Sequence, residues 1–183
     1  MADAAGPDHP AKPETQRLFF ALWPDDATRD ALNRTGKWLH QHWGGRRMRA
    51  ETLHLTLAFL GETSMRMRSA LLPHIDALRT VPFDLLLDRP GLWPHNRIGW
   101  LGAAETPVGL VKLAAGLRGA LETASVAFDA RPFAPHVTLL RQASGDTAPA
   151  CIPVAWPVRD FSLVASHPGA RYEILHRWPL CGM

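Results

Sequence analysis

The chain has 183 residues, 46% of them hydrophobic and 20% charged, a balance ordinary for a globular protein of one domain or two small lobes sharing a core. No run approaches the roughly 20 apolar residues that span a bilayer, and two cysteines are too few for a disulfide framework or a thiolate metal site. A formal net charge of +3 fits an anionic ligand such as RNA, and equally a basic surface with no assigned partner.

Residues 1–16 carry Pro7, Pro10 and Pro13 among small and charged side chains and lack the apolar stretch of a signal peptide, so a disordered tail and a cytoplasmic protein are expected, with one domain over 17–183. Arg17 to Trp23 reads as a strand stopped by Pro24. Asp25 or Asp26 then caps a helix whose Ala31, Leu32, Thr35, Trp38 and Leu39 recur at helical spacing until Gly44-Gly45. A short strand over Arg46 to Arg49 leads into a longer one, Leu53 to Leu60, closed by Gly61. Met67, Leu71, Ile75 and Leu78 mark a second helix that Pro73 should kink or divide. Phe83 to Leu87 is a strand followed by a turn at Pro90-Gly91, and Arg97 to Leu101 is another. Thr106-Pro107 gives a cap with proline at the first helical position, ahead of the stripe Leu110, Leu113, Leu117 and Leu121. His136 to Arg141, Phe161 to Ser166 and Arg171 to Leu180 complete the strands, with a small polar loop between Ala143 and Pro153.

Two phrases stand out, His54-Leu55-Thr56-Leu57 and His136-Val137-Thr138-Leu139. Side chains alternate along a strand, so each phrase puts an imidazole and a hydroxyl on one face and two apolar groups on the other. A strand and a helix precede each phrase at nearly equal distances. That points to a duplicated unit, a pseudo-twofold arrangement and an α+β fold with mainly antiparallel sheet. Histidine titrates near neutrality, so one ring can accept a proton while the other donates one. The hydroxyls of Thr56 and Thr138 can donate to phosphoryl oxygens as charge builds there. A zinc site would need a third ligand, and no cysteine or carboxylate stands beside either phrase at ligand spacing.

Other residues are candidates for contact with a nucleic acid. Phe20 can stack on a terminal base, although alternation requires that one of Phe19 and Phe20 face the core. Arg46, Arg47 and Arg49 can track phosphates or simply be solvated. The remaining histidines are assigned surface or packing roles, and core packing is the default for each of the seven tryptophans.

From Arg17 to Leu180 the chain resembles the two-histidine (2H) phosphoesterases, most closely the LigT-like RNA 2′,3′-cyclic phosphodiesterase branch. The resemblance rests on Arg17-Leu-Phe-Phe-Ala-Leu22, Leu53-His-Leu-Thr-Leu-Ala-Phe-Leu-Gly-Glu62 and Pro135-His-Val-Thr-Leu-Leu-Arg141, with Arg97-Ile-Gly-Trp100, Ser166 and Tyr172 in support. It implies two pseudo-symmetric lobes with flanking helices around a central cleft, and hydrolysis of RNA ends bearing a 2′,3′-cyclic phosphate to a 2′-phosphate. A monomer without metal or other cofactor is expected. By the same resemblance His54 is the proton donor, His136 the proton acceptor, Thr56 and Thr138 bind the phosphate, and Arg141 holds it too. The near-symmetry leaves the direction of proton transfer open. Ideal strand parity, however, puts Arg141 on the face opposite His136, so its role needs the strand to end or twist. A non-catalytic RNA-binding module, or a 2H enzyme for another cyclic or 2′,5′-linked nucleotide, is the alternative.

Overall fold

The computed structural model describes residues 15–181. Its strands are β1 (Thr15–Leu22), β2 (Arg46–Arg47), β3 (Leu55–Ser64), β4 (Phe83–Leu87), β5 (Arg89–Trp93), β6 (Ile98–Gly102), β7 (His136–Arg141), β8 (Val154–Val158), β9 (Asp160–His167) and β10 (Arg171–Pro179). Its helices are α1 (Asp26–Trp43), α2 (Met65–Asp76) and α3 (Val108–Thr123). The main sheet runs β10-β9-β1-β3-β7-β6-β5, with β2 also on β7, and every pairing is antiparallel. The two-stranded sheet β4-β8 stands apart from it.

The main sheet is two half-sheets. β3 and β7 meet at a single register pair, Leu55 with Val137, whereas β1 and β3 pair along eight residues. One side of the combined sheet carries the core, built from Leu18, Phe20, Leu22, Leu55, Leu101, Val137 and Leu140 against α1, α2 and α3. Each helix offers a leucine-rich stripe to it. In α1 the buried residues are Thr28, Leu32, Thr35, Gly36, Leu39 and Trp43, and Asp25 caps the helix by accepting from the Thr28 N–H at 2.8 Å. Such a cap is worth about 1 kcal/mol. The bond also holds the Asp25 carboxyl below its usual range.

Several expectations need correction. Thr15 and Gln16 already belong to β1, so the first strand begins before Arg17, while the rest of the expected tail lies outside the described residues. Pro73 neither divides nor ends α2, because it sits in the last turn, on an exposed face, where only one intrahelical bond is forfeited. Pro90-Gly91 is not a turn but the middle of β5. That strand is an edge, so a missing N–H is tolerated there, and the chain reverses later, around Arg97 with φ 56°. Thr106 makes no cap, since α3 starts after Pro107 without a capping side chain. β8 lies inside a stretch whose Pro157 masks its strand character, and it too is an edge. Among the described residues no helix is long and apolar enough to cross a membrane.

Candidate active site

The single rung between the half-sheets fixes the centre of the cleft. Leu55 and Val137 point into the core and are fully buried, so their neighbours in each strand point to the opposite face. Antiparallel pairing about that rung sets His54 and Thr138 to one side of it, and Thr56 and His136 to the other. The four sequence-predicted groups therefore share one cleft floor. The histidines are close enough that positive charge on His136 disfavours charging His54.

Both rings are held the same way. His54 Nδ1 lies 2.7 Å from Thr52 O, and His136 Nδ1 lies 2.7 Å from Ala134 O. A carbonyl only accepts, so each Nδ1 carries the proton and donates it. Each Nε2 is left free to take or give a proton in the cleft. Burial drives the pKa of His54 down from 6.5 to about 4, opposed by the bond to Thr52 and reinforced by His136. Burial also lowers that of His136, opposed by its bond to Ala134. In the free protein both rings are therefore neutral at pH 7. Among the described residues the hydroxyls of Thr56 and Thr138 have no hydrogen-bond partner, and no group of three metal-ligating side chains is present.

Aromatic rings bracket each histidine, which composition alone does not reveal. Trp23 is stacked on His54 at 5.3 Å with an interplanar angle of 2°, Phe19 lies 5.0 Å away, and Tyr172 meets His54 edge-on at 5.1 Å. On the other side Trp93 meets His136 edge-on at 4.5 Å and Trp100 lies 6.5 Å away. Trp100 lies flat across Gly91, where a Cβ would collide with its ring. These tryptophans line the site rather than the core. The available signal was parity, since Trp23 shares a face with Phe19 and Ala21, and Ala21 pairs with Thr56.

Phe20 is not a base platform. It is 0% exposed and packs against Phe161 and Trp178 with centroids 6.2 and 6.0 Å away. The alternation of β1 sends Leu18, Phe20 and Leu22 to the core and Phe19 to the cleft side, where His54 and Tyr172 cover it.

Arg141 reaches the cleft through a β-bulge. In β7 Thr138 pairs with Trp100 and Leu140 with Gly99, leaving Leu139 unpaired. The extra residue shifts the alternation by one, so Leu139 and Leu140 are both buried in succession and Arg141, paired with Ile98, shares the face of Trp100 and Thr138. β3 has the same bulge at Leu57, three residues after its histidine, and there Phe59 takes the corresponding place. Arg17 stands over the Phe59 ring at 4.9 Å. A cavity of about 560 Å³ between α1 and residues 150–154 contains none of these groups.

A family model described as LigT like Phosphoesterase matches residues 22–100. The RNA 2′,3′-cyclic phosphodiesterase of Escherichia coli (strain K12) is 38% identical over 175 residues, covering 91% of this chain and 98% of that protein. The RNA 2′,3′-cyclic phosphodiesterase of Thermus thermophilus is 32% identical over 184 residues, 91% of each chain. The crystal structure of E. coli LigT complexed with 3′-AMP matches with a TM-score of 0.83 at 38% identity, over 92% of this chain and all of that one.

Proposed function

The chain belongs to the LigT-like phosphoesterase family, and from that premise we propose that its cleft hydrolyses the 2′,3′-cyclic phosphate at RNA ends to a 2′-phosphate. One observation carries the reading: two titratable rings, each tied through Nδ1 to a carbonyl two residues back, flank one strand rung with a free hydroxyl beside each. A water attacks phosphorus as His136 Nε2 takes its proton. The bond to the 3′ oxygen breaks as His54 Nε2 gives that oxygen a proton, and the ring opens to a 2′-monoester. Solvent then restores both rings, so no metal or other cofactor enters.

The direction assigned to His54 has support in its surroundings. A phosphate monoanion between the rings brings negative charge to both and favours their protonated forms. An imidazolium stacked on the face of Trp23 at 5.3 Å gains a further attraction. Thr56 and Thr138 donate to the non-bridging oxygens, and the fork of Arg141 neutralises the charge that develops on them. Both halves of the site come from one chain, so a monomer suffices, with residues 17–183 acting as one catalytic unit. Both cysteines are free, as suits a reducing cytoplasm.

The test is turnover of a nucleoside 2′,3′-cyclic phosphate with EDTA present. A 2′-phosphate product formed at an undiminished rate is expected. No turnover, or turnover that survives both His54→Ala and His136→Ala, rejects the reading.

A further inference from the structure

The three arginines before the first phrase go to three different places. Arg47 pairs with Leu140 and so takes the core-side face, where its guanidinium donates to Asn33 Oδ1 at 2.6 Å. Arg49 donates to Ala170 O at 2.9 Å and stands 3.4 Å from Glu51. Arg46 is exposed, and among the described residues it has neither a hydrogen-bond nor an ion-pair partner.

Arg46 is the Cα partner of Arg141 across β2 and β7. Direct partners in an antiparallel pair share a face, with Cβ atoms about 4.5–5.5 Å apart. Since the Leu139 bulge returns Arg141 to the cleft, Arg46 stands on the cleft face as well. Arg141 has no carboxylate partner among the described residues either. Like charges placed directly opposite each other destabilise a sheet, and an anion lying across both relieves the conflict. The placement is built in by glycine. Gly44 and Gly45 have φ of 59° and 77°, and a Cβ on Gly45 would come within 2.5 Å of Arg141 O. Only glycine lets the chain press against Arg141 and deliver the next residue beside it.

The opposite end of the cleft is different. Phe59 occupies the position of Arg141, and the chain segment alongside it, where the Asp129 N–H donates to Phe59 O at 2.9 Å, stands where β2 stands along β7. The charge of Arg131 there is matched by Asp129. Arg17 is the cleft-side cation at that end and is seated over the Phe59 ring, whereas the β2 mouth sets Arg46 and Arg141 side by side.

We propose that Arg46 holds the phosphodiester next to the cyclic end, so that the RNA strand leaves the cleft over β2 and oligonucleotide ends are preferred to mononucleotides. This assignment rests on the hydrolytic reading of the same cleft. The test compares kcat/KM for a nucleoside 2′,3′-cyclic phosphate and for a short oligonucleotide ending in the same group. In Arg46→Ala the ratio of oligonucleotide to mononucleotide should fall about tenfold, the low end for a charge-assisted hydrogen bond, and Arg46→Lys should recover most of it. Equal losses on both substrates, or none on either, overturn the proposal. Binding of an oligonucleotide ending in a linear phosphate, followed against salt, reads the same contact without turnover. The slope should flatten by about 0.7 in Arg46→Ala, the value for one contact to a single strand, and an unaltered slope overturns the proposal. If neither cyclic substrate turns over while the slope still flattens, hydrolysis is rejected and the phosphate contact at Arg46 stands.

Discussion

The two halves of the cleft are built on one plan and finished differently. Each supplies a histidine locked through Nδ1, a threonine two residues on, a bulge three residues on and a side chain returned to the cleft five residues on. Up to the bulge the halves match, as the proposed reciprocal proton transfer would demand. After it they diverge, with Phe59 in one half and Arg141 in the other, a difference that the proposed phosphate contact at Arg141 would use. On the proposed reading, symmetry serves proton transfer and the break in symmetry serves phosphate binding.

The largest test of the matched part is to remove each histidine alone. His54→Ala and His136→Ala should each lower kcat by roughly 10²- to 10⁴-fold, the usual range for a positioned acid or base. Steady-state turnover of a cyclic mononucleotide measures it, and near-normal activity in either variant would show that the halves are not chemical equivalents. Next comes the broken symmetry. Arg141→Phe makes the halves alike at this position and should cost about 10- to 100-fold in kcat/KM, as expected for a hydrogen bond between charged groups. A loss no larger than that of Phe59→Ala would place phosphate binding elsewhere.

Acid separates the halves in another way. His54 has its pKa held near 4 in the folded state against 6.5 in the open chain, so between those values the unfolded chain binds the extra proton. Stability is therefore full above pH 6.5 and is lost as pH falls toward 4, by on the order of 3 kcal/mol. Urea unfolding at pH 7 and 4.5 should show a smaller difference in His54→Gln than in the parent. An equal difference would mean that His54 is not buried as a neutral ring. Since both rings are depressed in the free protein, kcat/KM should also peak below pH 6.5. The smallest effect expected is at Gly91, where Gly91→Ala pushes Trp100 off its seat beside His136. A stability loss of about 1–3 kcal/mol is typical of such overpacking, measurable by thermal unfolding, and Gly99→Ala, whose Cβ would stand 3.1 Å from Leu140, offers a milder comparison.

The shared face of the two phrases was legible in the sequence because strand alternation is a local rule. His54 with Thr56, and His136 with Thr138, need only an extended backbone to face the same way. The strand His136–Arg141 was legible for the same reason. What failed was whatever depended on a departure from the rule. Ideal parity turned Arg141 away from the cleft, and only the extra residue at Leu139 brings it back. Phe20 and Phe19 are interchangeable in composition, and which one meets the core is decided by which neighbours β1 acquires. Pro90-Gly91 reads as a turn until β5 is known to be an edge. The aromatic brackets come from the residue after β1, Trp23, and from β5 and β6, Trp93 and Trp100, and no local pattern joins them. Arg46, Arg47 and Arg49 looked alike, and their partners distinguish them.

With a lone rung between Leu55 and Val137, the two half-sheets are joined by core packing more than by pairing. A long ladder resists rotation of one strand against the next, whereas one rung lets the half-sheets pivot with little loss of pairing. The separation of the two imidazoles is then a mechanical coordinate set by how the helices wedge the halves apart. Small changes in helix packing far from the cleft would tune that gap.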